Sequence, residues 1–432
     1  MKGLSNRQIM ALGFMTFALF LGAGNIIFPA AAGLQSGELL WQVALGFLLT
    51  GVGLPLLTVV ALARVGGGLQ TLTQPLGRTA GTVFAVAVYL AIGPLFATPR
   101  TAVVSYEIAI GSVMEHRWWL LLLYSSLYFA VVLYLAFHPG KILQRIGQLI
   151  TPVLLLALVL LGLAAVFKPA GLPGPGQEPY SSAPLASGFL DGYLTMDALG
   201  ALVFGVVIAA AIRRQGVTDL AKITGYSIRA GITAATGLSL VYVSLFYLGA
   251  TSYDIAADAS NGGQILALYV NKGFGLYGTL LLGVVITLAC LTTATGLLVA
   301  CGEYFEQLWG IRYRRTVVFF TLFSWIVSNQ GLTQLIKVSV PVLVGLYPLA
   351  IVLVLTSLAR NLWRNPQPVL RACMAVTLLF GVLDGLAAGG FDTGLAGVLD
   401  HLPLAQQQMG WLVPVALVMA VMTVRDRLSF GR

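Results

Sequence analysis

The sequence predicts an all-α polytopic membrane protein of twelve spans, built as a five-plus-five inverted repeat with two further helices at its C-terminal end. Three observations lead there. Only 9% of the 432 residues are charged and 58% are hydrophobic, whereas soluble domains carry roughly 25% charged residues. Apolar runs near the ~20 residues needed to cross the hydrocarbon core recur from end to end. The first and sixth of these runs are interrupted by glycine and polar residues. At membrane depth such an interruption is tolerated only inside protein or beside a watery cavity.

The spans lie near residues 9–33, 39–63, 79–111, 118–137, 142–167, 190–212, 222–250, 276–305, 315–330, 334–358, 370–388 and 405–424. They divide the chain into a first repeat over 1–167, an extracytoplasmic loop over 168–189, a second repeat over 190–358, and a last helix pair with the C-terminal end over 359–432. Pro, Gly and Ser crowd the loop. Lys2 and Arg7 ahead of an apolar run, with Ala30-Ala31-Ala32 behind it, loosely match a signal peptide. A full set of spans follows, so residues 9–33 are expected to remain as the first of them.

Orientation follows from charge. With the N-terminus inside, every basic residue except Arg100, Arg117, Lys168, Lys272 and Lys337 falls on a cytoplasmic end or loop. The positive-inside rule then places both termini in the cytoplasm. The net charge of +9 is explained by that bias, and no nucleic acid is implied. Glu38, Glu115, Glu178, Asp191, Asp254, Asp258, Asp392 and Asp400 fall outside. Glu107, Asp197 and Asp384 stay in apolar surroundings, where a charge is expensive and so a functional candidate. Cys290, Cys301 and Cys373 are too few and too scattered for a disulfide framework.

The first span carries Leu21-Gly22-Ala23-Gly24-Asn25-Ile26-Ile27-Phe28-Pro29 at its middle. Glycine and proline weaken a helix there. The sixth carries Tyr193-Leu194-Thr195-Met196-Asp197-Ala198-Leu199 between apolar flanks. Breaks five spans apart are what an inverted repeat predicts, with a binding site at the midplane between them. Half-helix N-termini offer N–H donors to a carboxylate, and half-helix C-termini offer carbonyls to a cation or ammonium. A zwitterion such as an amino acid suits that chemistry.

These two segments, with Gly33-Leu34-Gln35-Ser36-Gly37 and Gly93-Pro94-Leu95-Phe96-Ala97-Thr98-Pro99-Arg100-Thr101, resemble the branched-chain amino acid:cation symporters over essentially the whole chain. The resemblance implies the leucine-transporter-type fold, an inner (plasma) membrane location, and sodium-coupled uptake of leucine, isoleucine or valine. No obligate protein partner is implied. Proton coupling, or another small neutral amino acid, remains the alternative. A channel fits broken helices less well. An enzyme is not expected, because His116, His138 and His401 sit near span ends without a metal-binding or nucleophilic arrangement.

Candidate residues follow. Gly22, Ala23 and Gly24 would show their backbone to substrate, or else serve close helix packing. Asn25 would offer its amide oxygen to Na⁺ or cap the second half-helix. Asp197 would hold the substrate ammonium, a cation or a transferable proton, or cap the sixth-span break. Met196, Ala198, Leu199, Phe96 and Phe204 are candidate pocket walls. By resemblance, Thr292 and Thr293 in Cys290-Leu291-Thr292-Thr293-Ala294-Thr295 give Na⁺ hydroxyl ligands, and Ala18 and Leu21 give carbonyls; the alternative for the threonines is bonding back to their own helix. Arg100 stands seven residues from Glu107 on a similar helix face, which suits a gating or structural pair, or a snorkelling arginine. Asn261-Gly262-Gly263 and Pro139-Gly140 mark turns; in related folds the first lies in an outer lid.

Overall fold

The computed structural model describes residues 4–111, 114, 117–138, 141–391 and 402–428, and every regular element among them is helical. The turn expected at Pro139-Gly140 lies outside the described residues, as do Lys2, Glu115, His116, Asp392, Asp400, His401 and Arg432.

The first span is two helices, α1 (Asn6–Phe20) and α2 (Ala23–Ser36). A capping box starts α1: Gln8 N–H donates to Ser5 Oγ at 3.3 Å and Ser5 N–H to Gln8 Oε1 at 2.8 Å. Next come α3 (Leu40–Leu48) and α4 (Leu54–Val65), joined by a π-helical turn over Leu49–Gly53, then the short α5 (Leu69–Thr73). A second π-helical turn over Ala91–Leu95 joins α6 (Arg78–Leu90) to α7 (Ala97–Ala109), with Gly93 in a non-helical conformation beside Pro94. The helices α8 (Trp118–Phe137), α9 (Lys141–Phe167), α10 (Pro184–Leu194), α11 (Asp197–Arg214) and α12 (Leu220–Ala250) follow. After the single turn α13 (Tyr253–Ala256) come α14 (Gly262–Trp309), α15 (Tyr313–Ser328), α16 (Leu332–Leu358), α17 (Pro366–Ala388) and α18 (Leu412–Leu428).

Among the described residues seven stretches are long and apolar enough to cross a bilayer, and α10 with α11, bent by 43°, makes an eighth. Three boundaries depart from expectation. The sixth span begins at Pro184, where proline at the first helical position suits a helix start, so the preceding loop is shorter than 168–189. The twelfth begins at Leu412 rather than 405, because Leu404 and Gln408 adopt left-handed φ values of 65° and 54° that no helix accepts. Helical structure begins at Gly262, ahead of span eight, and turns at Gly275, whose φ of 66° and ψ of −167° only glycine takes easily. The first arm, capped by Asn261 Oδ1 accepting from Gln264 N–H at 3.1 Å, rests on α2.

Each broken helix packs against the other half of the chain. α2 and α1 run along α12, while α10 packs on α3 and α11 on α4. Small residues let these pairs approach to backbone contact. A methyl group on Gly33 would come within 2.2 Å of Phe246 O, and one on Gly249 within 2.1 Å of Ala30 O. On the other pair, Gly46 and Gly188 would meet Leu185 O and Val43 O, each at 2.0 Å. The loop before α10 is pinned to the end of α2 through Gln177 N–H to Gln35 O at 2.9 Å and Glu38 N–H to Gly174 O at 3.1 Å.

Backbone contact at Gly33 generates a test. Gly33→Ala is expected to lower stability in detergent by about 1–3 kcal/mol through overpacking. Gly296→Ala, with nothing within 4 Å of the new methyl, should leave the thermal midpoint unchanged or slightly raised.

Candidate binding site between the two broken helices

The break in the first span is confined to Leu21 and Gly22. Leu21 N–H still closes on Phe17 O at 2.9 Å. The next donor, Gly22 N–H, would complete the turn onto Ala18 O, but it goes to Asn25 Oδ1 at 2.9 Å. Asn25 is the third residue of α2 and thus caps its own helix backwards. The last carbonyls of α1 and the first N–H groups of α2 are left facing the gap. Pro29 does not end α2; it lies inside it.

In the sixth span α10 stops at Leu194 and α11 starts at Asp197. Met196 between them is left-handed, with φ 62° and ψ 14°, a conformation costing a non-glycine residue roughly 1–2 kcal/mol. Thr195 Oγ1 donates to Gly192 O at 2.9 Å and accepts from Asp197 N–H at 3.3 Å, which fixes the corner.

The two breaks are tied to each other. Asn25 Nδ2 donates to Asp197 Oδ2 at 2.6 Å and also to the Tyr242 hydroxyl of α12. Tyr242 in turn donates to the same Asp197 oxygen at 2.5 Å. All three residues are buried. Among the described residues no basic side chain pairs with Asp197; its charge is met by these two bonds and by the N-terminus of α11.

Beside this knot lies a cavity of about 50 Å³. Gly22, Ala23, Gly24 and Asn25 line it from α2 and its cap, Met196, Asp197, Gly200 and Phe204 from α11 and its cap, Ala97, Arg100 and Thr101 from α7, and Thr293 and Leu297 from α14. Leu19, Phe20, Ile92 and Thr195 complete the wall. On α7, α11 and α14 the lining residues recur at spacings of three and four, the mark of one face, while at the first-span break consecutive residues line the cavity. Four of the expected residues are not among those that line this cavity. Ala198 and Leu199 turn into the core, Phe96 sits one residue before the face begun by Ala97, and Thr292 one before Thr293. Ala18 and Leu21 are not among the lining side chains; the role expected of them lies in their carbonyls.

Thr292, Thr293 and Arg100 all have partners in this structure. Thr292 and Thr293 both bond back to Ala289 O, at 2.8 and 3.2 Å. Arg100 does not pair with Glu107. Its Nη1 donates to Leu194 O at 2.6 Å, its Nη2 to Ser339 Oγ at 3.4 Å, and its guanidinium carbon stands 4.8 Å over the Phe28 ring. The reason is position: Arg100 lies in the first turn of α7, beside the bare carbonyl end of α10, which attracts a cation. Glu107, two turns on, lies against Gly263 of α14. Tyr242, Thr195 and Thr101 were missed. Gly200 and Leu297 were recoverable by stepping one helical turn from Asp197 and Thr293, but a lone tyrosine in an apolar span gave no signal.

Comparison with known proteins identifies the family. The family model described as branched-chain amino acid transport protein matches residues 5–429. The chain belongs to that family. A branched-chain amino acid transport system 2 carrier protein of Pseudomonas aeruginosa is 60% identical over 428 residues, covering 99% of this chain and 98% of the relative. The branched-chain amino acid permease BrnQ of Escherichia coli K12 is 48% identical over 424 residues, covering 98% and 97%. Family members are thus carriers and permeases, not enzymes. In fold the chain is similar to the transporter MhsT, solved with L-phenylalanine, at a TM-score of 0.58 and 13% identity, covering 97% of this chain and 99% of that one. It is equally similar to the manganese transporter of Eremococcus coleocola, at a TM-score of 0.59 and 15% identity, covering 99% and 96%. The family member therefore has the leucine-transporter-type fold.

The knot predicts the effect of removing one hydroxyl. Tyr242→Phe leaves Asp197 with one of its two side-chain donors, and a hydrogen bond to a charged group contributes about 1.5–3 kcal/mol. The variant should unfold at lower temperature in detergent, whereas Tyr247→Phe on the same helix should not.

Proposed function

We propose that this family member is a sodium-coupled symporter that imports leucine, isoleucine or valine across an inner (plasma) membrane by alternating access. One observation carries the proposal: residues from both helix breaks, Asn25 and Asp197 among them, line one cavity. The relatives named as branched-chain carriers and permeases supply the substrate class.

Twelve spans with both termini cytoplasmic remain the preferred topology. The packing of α1 and α2 on α12, and of α10 and α11 on α3 and α4, supports the inverted repeat, because a pseudo-twofold relation would make the α1–α12 contact equivalent to α10–α3 and α2–α12 equivalent to α11–α4. In the proposed site the substrate carboxylate meets the N-terminal N–H groups of α2, and the ammonium meets Asp197 and the carbonyls at the breaks. Ile92, Phe20, Leu297 and Phe204 surround the aliphatic chain. Na⁺ would take carbonyls of Ala18 and Leu21 and the hydroxyl of Thr293, a set of hard oxygens suited to that ion. Thr293 lies beside the break, since a methyl on Gly22 would come within 3.5 Å of its Cγ2. At about 50 Å³ the cavity is below the roughly 300 Å³ of a typical ligand site, so loading requires the helices around it to part. An ion that orders α1 against α14 favours the loaded state, which makes coupling a linkage between two ligands.

Radiolabelled leucine uptake into proteoliposomes tests this. Uptake driven by an imposed Na⁺ gradient and competed by isoleucine and valine is expected. Thr293→Ala should raise the Na⁺ concentration for half-maximal uptake by about tenfold, from the loss of one ligand bond of ~1–1.5 kcal/mol. Asn25→Ala should weaken both ligands. Uptake driven by a proton gradient and indifferent to Na⁺ would instead assign coupling to Asp197, the buried acid of the site.

A further inference from the structure

The cavity holds a second charged group that the proposed function leaves unused. Arg100 is 2% exposed, lines the cavity, and has no acidic partner among the described residues. A guanidinium has five N–H donors in a planar fork. Here Nη1 is spent on Leu194 O, Nη2 makes one long bond to Ser339, and Nε has no partner. The Nε–Nη2 edge, which matches a carboxylate with two parallel bonds, is therefore almost unspent. Burying a charge so poorly matched is costly unless something completes it. Asp197 does not, although it lines the same cavity: its bonds go to Asn25 and Tyr242. One small cavity thus carries an acid and a base that are not paired with each other.

We propose that Arg100 binds the α-carboxylate of the substrate directly, through guanidinium N–H groups that lack a full partner here, so that Arg100 and Asp197 together select a zwitterion. This rests on the amino-acid substrate proposed above and adds a side-chain anchor to the backbone donors of α2. Gly24 is part of the arrangement. A methyl there would come within 3.2 Å of Nη1 and 3.3 Å of Phe28, so glycine leaves the guanidinium its place beside the break. The same contact joins carboxylate binding to gating, because Arg100 holds the carbonyl end of α10 and lies against α2 and α7 at once.

The test compares leucine with leucinamide, which keeps the ammonium and side chain and lacks the carboxylate, by equilibrium binding to purified protein. Wild-type protein should prefer leucine by about 10- to 100-fold, the range of a charge-assisted bond. Arg100→Gln should lose that preference by weakening leucine alone. Arg100→Lys, which keeps the charge but not the fork, should fall between and retains a readout where the glutamine variant fails to fold. Equal losses for both ligands would make Arg100 a strut for α10 and overturn the proposal, as would a preference unchanged in the lysine variant. Leucine and leucinamide bound equally well by wild-type protein would overturn it while leaving leucine as substrate. Absence of leucine binding would overturn the substrate assignment as well.

Discussion

At the centre of the molecule one oxygen of Asp197 accepts from Asn25 and from Tyr242, and around that oxygen two interrupted helices hold each other in register. An unwound turn inside a membrane is viable only when its backbone groups find partners in protein. Asn25 meets that requirement at Gly22, whose N–H its oxygen takes, and its nitrogen ties this break to the Asp197 side chain at the other. Removing the acid would strand the Tyr242 hydroxyl proton in a buried setting and cost Asn25 one of its two acceptors. Removing either donor would leave the acid poorly solvated.

The remainder of the architecture accommodates this knot. α12, which contributes Tyr242, must lie close to α2, and Gly33 and Gly249 bring the two backbones together. α10 must end where Arg100 can take the carbonyl of Leu194, so α7 has to approach with its first turn rather than its middle. The non-helical Gly93 and the π-helical turn before α7 reset the direction of the third span just ahead of Arg100. Irregularities in three different spans therefore converge on one cavity.

The cavity is small, and its wall draws on four spans, the first, third, sixth and eighth. Close contacts within each broken-helix pair rest on glycine, whereas the joint between the two breaks rests on a few polar bonds. Directional bonds of that kind can be exchanged for bonds to a ligand, whereas backbone-to-backbone packing offers no such exchange.

The sequence by itself determined the helical membrane class, the position of both breaks and the identity of Asn25 and Asp197 as their polar residues. Those features are local: glycine, proline and buried polar groups disfavour an unbroken helix in lipid whatever surrounds them. It also placed Thr293 and Phe204 near the site. Only the tertiary structure decided which side chains share the cavity. The rotation of each helix is set by its neighbours, and a displacement of one residue, as between Thr292 and Thr293 or Phe96 and Ala97, turns a side chain by about 100°. Arg100 shows the same limit. Helical spacing pointed to Glu107, but its partner is the open end of α10, a backbone group from another part of the chain that no spacing rule could bring beside it.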